Sequence, residues 1–398
     1  MSHPRPGILM ICPDYKPNVG GEAELAFALA RALRDRGNRI TVLAPAHPGG
    51  APEDAELPGA VARELDLGRF PPLSTVRGWL AWPGAMAGLL RTVRRRWRAT
   101  ASDVCLVTTY MTWPTLALRL LNLPYGLFLH GEDVSLNRRR GGWVWRLFAS
   151  ACLSARRIFF NSEFSRERLL AWLPEVAART EAVGCGVRTD IRWTTDRRAE
   201  ARRDLGWDDG PVLLTIANLY QKKGIQTVIR ALPEIRRFHS TVRYVVVGEG
   251  PEAPTLRAIA RKEDVTGHVV FRERLDSETK EKLYAASDVY VMISEPGEWG
   301  DEEGFGITFL EANWHGLPVV GSRCGGIPES VEDGISGLLV DPGAPDQVCA
   351  AVRRLLDDPR LRRDLVRGGR RRIEERLNWP TISGRIEDGL RRPAGPVR

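Results

Sequence analysis

Residues 289–329 read VYVMISEPGEWGDEEGFGITFLEANWHGLPVVGSRCGGIPE, and this stretch decides the fold. Val289 to Ile293 is a short apolar run with β-branched residues, the pattern of a buried strand. A Gly-rich, acidic loop follows from Ser294 to Gly304. Phe305 to His315 reads as a helix, with Phe309, Leu310 and Ala312 on its apolar side. Gly316 can end that helix in a left-handed conformation, and Pro318 opens a second strand, Val319 to Gly321.

Two carboxylates stand out. Glu303 precedes the helix and Glu311 lies within it, eight positions later, so both can face one side. The amides of Gly304, Phe305, Gly306 and Ile307 are expected at the helix N-terminus, where free N–H groups and the helix dipole favour an anion. Gly304 and Gly306 let a ligand approach the backbone. Carboxylates for hydroxyls and amides for a phosphate are what a sugar nucleotide requires. Helix caps alone also use Glu pairs. The second glycine turn, Gly325-Gly326-Ile327-Pro328-Glu329, tips the balance toward a site.

The ordered set resembles the signature of retaining glycosyltransferases of family 4: two Glu residues separated by seven, then G-x-P-V-V, then G-G-x-P-E. Here these are Glu303, Glu311, Gly316 to Val320 and Gly325 to Glu329. The resemblance implies the α/β GT-B fold, with two Rossmann-like, doubly wound parallel-sheet domains facing across a cleft.

With 398 residues the chain is long enough for two cores. No run of about eighteen apolar residues predicts a membrane span. The opening apolar run is too short for a secretion signal, so cytoplasmic residence is expected. The six cysteines are scattered without a Cys-x-x-Cys pair, which disfavours disulfides and zinc. The first 185 residues hold 24 Lys and Arg against 16 Asp and Glu, and the rest hold 34 of each. The whole excess of +8 therefore belongs to the first half.

Ile8 to Cys12 reads as the first strand, followed by a loop ending in Gly20-Gly21 and a helix from Glu22 to Arg36. Leu25, Ala26, Leu29, Ala32 and Leu33 form its apolar stripe. The resemblance places Gly20 and Gly21 near the reacting sugar and phosphate. Residues 46–72 look irregular. Trp79 to Arg98 and Arg138 to Arg146 are two aromatic and basic runs. Core packing with solvated Arg and contact with an anionic membrane surface fit them about equally. Nucleic acid does not fit, because no recognition module is present. His130 follows a predicted strand, Pro124 to Leu129, where ligands bind in open α/β sheets. Its H-G-x-[DE] context matches the family segment near the transferred sugar.

Val183 to Val187 resembles the family turn that leaves the first domain, with Cys185 and Arg188 in place of Asn and Asp. Residues 1–187 are read as an acceptor-binding domain completed by a helix at about 378–398, with a linker at 188–210. Residues 211–377 are read as the nucleotide-sugar domain. Val212 to Ile216 is its first strand, followed by Asn218, Lys222 and Lys223-Gly224. The family carries an Arg where Asn218 stands, and Lys222 is the candidate substitute. Gly248-Glu249-Gly250-Pro251 reads as a structural turn, and Asp208-Asp209 as a turn and not a metal pair.

The resemblance then implies the chemistry. Glu311 binds the ribose and Glu303 binds the transferred sugar. Asn218, Lys222, Lys223 and the amides from Gly304 to Ile307 bind the donor. His130, Glu303 and Lys223 are the catalytic set, with no metal or other cofactor. The expected activity is transfer of a hexosyl unit from a nucleotide-diphosphate sugar to a glycan, glycolipid or lipid-linked acceptor, in envelope or polysaccharide synthesis, peripherally on the inner membrane face. Rivals are glycosylation of a soluble small molecule, another GT-B enzyme, and a non-catalytic sugar-nucleotide binder.

Overall fold

The computed structural model describes residues 5–18, 20–47, 51–67, 76–189, 195–273, 275–297 and 300–392. The chain divides into two compact units. One runs from the N-terminus to Cys185 and includes the segment from Trp379; the other is Gly186–Asn378.

The first unit holds β1 (Gly7–Ile11), β2 (Arg39–Pro45), β3 (Val61–Leu65), β4 (Val104–Val107), β5 (Tyr125–Leu129), β6 (Arg157–Phe160) and β7 (Thr180–Ala182). All pair in parallel, in the order β3-β2-β1-β4-β5-β6-β7. Parallel strands need crossovers, and helices fill them, so the central strands are apolar on both faces. β1, β4 and β5 are buried along their whole length. The helix Gly21–Asp35 buries the expected stripe and packs against the closing helix Trp379–Arg391. There Glu387, only 3% exposed, accepts from Arg36 Nε at 2.7 Å and Asn38 Nδ2 at 3.1 Å.

The second unit holds β8 (Val212–Ile216), β9 (Arg243–Val247), β10 (Val269–Arg272), β11 (Val289–Val291), β12 (Val319–Ser322) and β13 (Leu338–Val340). These are also parallel, in the order β10-β9-β8-β11-β12-β13. Apolar clusters cover both faces of this sheet. Each sheet is a Rossmann-like, doubly wound α/β layer. Strand order reverses between β1 and β4 in the first and between β8 and β11 in the second. Those switch points open crevices at the strands' C-terminal ends, where ligands bind in such sheets.

The structure corrects three sequence expectations and decides between two readings of a fourth stretch. The helix expected at 305–315 is Ile307–Trp314. Gly306 caps it with φ of 82°, a left-handed conformation that cannot continue an α-helix backwards. Residues 195–210, expected within the linker, carry the helix Thr195–Asp204, and two of its arginines are structural. Arg198 and Arg202 reach Asp288 at 2.6 and 2.7 Å, and Arg202 also donates to the Ala286 and Asp208 carbonyls. Residues 46–72 are not wholly irregular, since β3 adds an edge strand there. The described Trp residues in the helix Val76–Ala99 are core: Trp82 packs edge-on to Trp113, and Trp97 packs on the first unit's apolar cluster. The Trp79 side chain is outside the description.

Asp208 accepts from the Gly210 amide at 3.1 Å and pairs with Arg243, so Asp208-Asp209 forms a turn. All six cysteines are buried, and none is in a disulfide. Among the described residues no helix is long and apolar enough to cross a membrane.

Candidate active site

In the second unit the candidates gather at the β8/β11 switch point. After β8 the chain makes a 3-10 turn, Gln221–Lys223, and Gly224 starts the helix Ile225–Phe238. Gly224 has φ of 62°, and a Cβ there would stand 1.5 Å from the Ile293 carbonyl oxygen. Only glycine lets this turn press onto the chain leaving β11. The Glu295 amide donates to the Lys222 carbonyl at 2.9 Å, fixing the contact.

That contact brings Lys223 to Glu303. Lys223 Nζ pairs with Glu303 Oε2, with side chains only 18% and 15% exposed. Lys222 Nζ stands 3.3 Å from Asp301 Oδ2 and is 14% exposed, so neither lysine is a loose surface charge. Burial alone would raise the Glu303 pKa. Lys223, Lys222 and a hydrogen bond from the Phe305 amide outweigh it, holding the carboxyl below its usual range.

The backbone of Glu303 is fixed from the other side. The Gly326 amide donates to the Glu303 carbonyl at 2.8 Å. Gly325 has φ of 57°, and a Cβ on it would stand 2.4 Å from that same oxygen. The glycine turn therefore supports Glu303. The Phe305 amide, expected to await a phosphate, instead serves the Glu303 carboxylate. Gly304 and Phe305 belong to the loop, and Ile307 opens the helix behind Gly306.

Glu311 has partners that sequence reading missed. Lys280 Nζ lies 2.7 Å from its Oε1, and the Tyr284 hydroxyl donates to its Oε2 at 2.7 Å. His315, 8% exposed, stacks on Tyr284 with ring centres 5.1 Å apart. Burial would raise the Glu311 pKa, but Lys280, Tyr284 and His315 together lower it. An ionised carboxylate offers about four lone-pair sites, so two remain for ligand hydroxyls. Among the described residues no hydrogen bond links Glu303 to Glu311. Each has its own set of partners. Lys280 and Tyr284 sit four apart on the helix Ser277–Ala286, but nothing in their spacing tells which carboxylate they face.

Asn218 stands on the loop after β8, its carbonyl accepting from the Tyr220 amide at 2.9 Å. That loop is backed by Gly248 and Gly250, whose Cβ atoms would stand 1.9 and 2.4 Å from the Ala217 and Leu219 carbonyl oxygens. The G-E-G-P turn is thus a close-packing device.

In the first unit the candidates gather at the β1/β4 switch point. Gly20 caps the helix after β1, and a Cβ on Gly21 would meet no atom within 4 Å. The protein's own packing does not demand a glycine at 21. Glu22, in that helix's first turn, accepts from Thr109 Oγ1 at 3.0 Å. His130 follows β5, and its Nε2–H donates to the Thr108 carbonyl at 2.8 Å. A carbonyl only accepts, so in the neutral ring Nδ1 is left as an acceptor. The His130 amide donates to Asp133 Oδ2 at 2.8 Å. Burial drives the Asp133 pKa up to about 6; His130 opposes the rise and Glu22 adds to it. Asp133 and Glu22 are thus further members of this cluster; the acidic residue of H-G-x-[DE] was the sequence signal for Asp133, and Glu22 had none. Gly131, with φ of 87°, brings the segment against Ser165.

Comparison with known proteins decides the family. The profile described as Glycosyltransferase Family 4 matches residues 19–191, and that of Glycosyl transferases group 1 matches residues 197–372. A GDP-mannose-dependent alpha-(1-6)-phosphatidylinositol monomannoside mannosyltransferase of Mycobacterium tuberculosis is 31% identical over 395 residues, spanning 96% of this chain and 98% of that one. The chain belongs to glycosyltransferase family 4. A D-inositol 3-phosphate glycosyltransferase of Acidothermus cellulolyticus is 36% identical over 231 residues, spanning 55% of this chain and 50% of its own length. Among solved structures, Anabaena HepE in complex with UDP and glucose superposes with a TM-score of 0.76 at 20% identity, covering 97% of this chain and 99% of that one. The fold is GT-B, and the protein is a glycosyltransferase.

Proposed function

We propose that this glycosyltransferase moves a mannosyl unit, with retention and without a metal, from GDP-mannose to a phosphatidylinositol-type glycolipid at the inner membrane face. The observation that carries the site is the buried Lys223–Glu303 pair at the switch point of the second sheet. The choice of donor and acceptor draws on the mannosyltransferase similar over nearly the whole chain.

Glu311, oriented by Lys280 and Tyr284, accepts hydrogen bonds from the ribose hydroxyls. Glu303 accepts from hydroxyls of the transferred sugar. Lys223 has three N–H donors, so it can keep Glu303 and still meet the diphosphate. Lys222 takes the place of the Arg that Asn218 replaces, as a point charge without a fork. Together the two ammonium groups stabilise charge growing on the leaving diphosphate. The anomeric carbon–oxygen bond to the diphosphate breaks. The acceptor oxygen bonds to the same face, and its proton passes to the departing phosphate oxygen. Within the first unit, His130 keeps Nδ1 as an acceptor for a ligand hydroxyl.

Purified protein incubated with GDP-mannose, UDP-glucose and ADP-glucose, with phosphatidylinositol vesicles or soluble inositol phosphate as acceptor, tests the reading. One hexosyl unit added to the lipid from GDP-mannose, in chelator, as the α-anomer, and abolished by Lys223→Ala, is the expected result. Transfer to the soluble inositol phosphate alone would overturn the lipid acceptor, and the similarity to the inositol phosphate enzyme makes that the rival outcome.

A further inference from the structure

A cavity of about 750 Å³ opens in the second unit, at the end of the sheet opposite the β8/β11 switch point. Its floor is formed where the chain enters β11 and β12, at Ser287-Asp288 and Gly316 to Pro318. One wall is the helix Pro359–Glu375, which lines it with Arg362, Arg363, Arg367, Arg370 and Arg371, a spacing of three and four that is one helix face. The opposite face of that helix is buried through Leu365, Gly369, Arg372 and Ile373. An arginine-rich helix face is ordinarily a solvated one. This one borders a hollow.

Six guanidinium groups, with Arg198 the sixth, line the cavity against two carboxylates, Asp288 and Glu374. Asp288 is taken by Arg198 and Arg202, and Arg362 reaches it only at 4.0 Å. Arg370 is half-buried and spends Nε and one terminal nitrogen on the Trp314 carbonyl, at 3.2 and 3.0 Å. Arg363 and Arg371 are exposed and have no ion-pair partner among the described residues. Like charges packed round a hollow repel, and a polyanion with several oxygens in reach relieves that repulsion. Guanidinium forks match phosphate oxygens in pairs. The volume falls within the range of small-molecule sites. We infer that this cavity is a binding site for a small, multiply phosphorylated anion, distinct from the donor site.

The cavity also has a route to the donor side. His315 lines it and stacks on Tyr284, whose hydroxyl holds Glu311. A ligand against His315 therefore touches a ring that contacts the residue positioning a donor carboxylate.

The test uses tripolyphosphate as probe, by calorimetry at low salt and by following the His315 Cε1 proton resonance, assigned with His315→Asn. Wild type and Lys223→Ala bind it and show the His315 shift. The double variant Arg363→Glu/Arg371→Glu, at exposed positions that leave packing intact, binds at least about ten-fold more weakly and loses the shift. The inference is overturned if no binding occurs, if Lys223→Ala removes binding while the arginine variant keeps it, or if the His315 resonance stays still during binding. Loss of binding to anionic vesicles in the arginine variant, with tripolyphosphate binding unchanged, would also overturn it and make the face a membrane contact.

Discussion

Asp133 sits where burial opposes its charge. The carboxyl is 8% exposed beside Glu22, and burial lifts its pKa from 3.8 to about 6. An unfolded chain releases that proton near pH 4, whereas the folded chain keeps it to near pH 6. Between those values the folded state binds more protons, so stability falls as pH rises through the window and levels off above it. The span corresponds to about 3 kcal/mol. Asp133→Asn keeps an oxygen for the His130 amide and removes the charge. It should therefore unfold at higher denaturant than wild type at pH 7.5, and match it at pH 4. An equal difference at both pH values would show that another group titrates. At this scale the order of the motifs singled out Glu303, Glu311, Lys223 and His130 as candidates, and the structure sets Lys223 against Glu303. Lys280, Tyr284 and Glu22 were hidden, because their roles depend on which loop a neighbouring helix faces.

Among the elements, the glycine turn after β12 shows how a motif without functional atoms can govern the site. Gly325 takes a left-handed φ and presses on the Glu303 carbonyl, while Gly334 takes φ of 73° with open space around it. Alanine at either position costs about 1–2 kcal/mol for the left-handed backbone alone. Only Gly325→Ala must also displace Glu303. Gly325→Ala should lose more stability than Gly334→Ala in thermal melts, and it alone should lose turnover severely. Equal turnover in the two would remove the positioning role. Element order and sheet type were legible from alternating apolar runs and glycine stops. The start of the helix at Ile307 was not, because a glycine can be either a first helical residue or a left-handed cap. The helix Thr195–Asp204 was missed for a different reason: arginines buried against Asp288 have the same composition as a solvated linker.

Across the whole molecule the charge is lopsided, and of the two aromatic and basic runs only the second presents aromatic side chains to solvent among the described residues. In the helix Val76–Ala99, Arg95 and Arg96 hold Glu64, and Trp82 and Trp97 are packed inward. The helices Glu132–Arg140 and Gly142–Ser154, which meet at Gly141, instead present Leu136 and Trp143 to solvent at 45% and 54% exposure. Trp172, 55% exposed, is held by Arg138, whose guanidinium stands 4.1 Å from its ring centre. Arg139, Arg140 and Arg146 are exposed around them. Exposed Trp beside exposed basic charge suits the headgroup layer of an anionic bilayer. Each Arg near such a surface contributes about 1 kcal/mol, so these three provide reversible attachment that weakens as salt shortens the Debye length from about 10 Å at 0.1 M to about 3 Å at 1 M. The protein should co-sediment with phosphatidylinositol-containing vesicles at low salt and leave them at high salt. Arg139→Glu/Arg140→Glu/Arg146→Glu should abolish the attachment, Trp143→Ser should weaken it, and transfer to a detergent-dispersed acceptor should survive in both. Wild-type protein that stays in the supernatant at low salt would mean that the corner at Gly141 meets something other than lipid, and would favour a soluble acceptor.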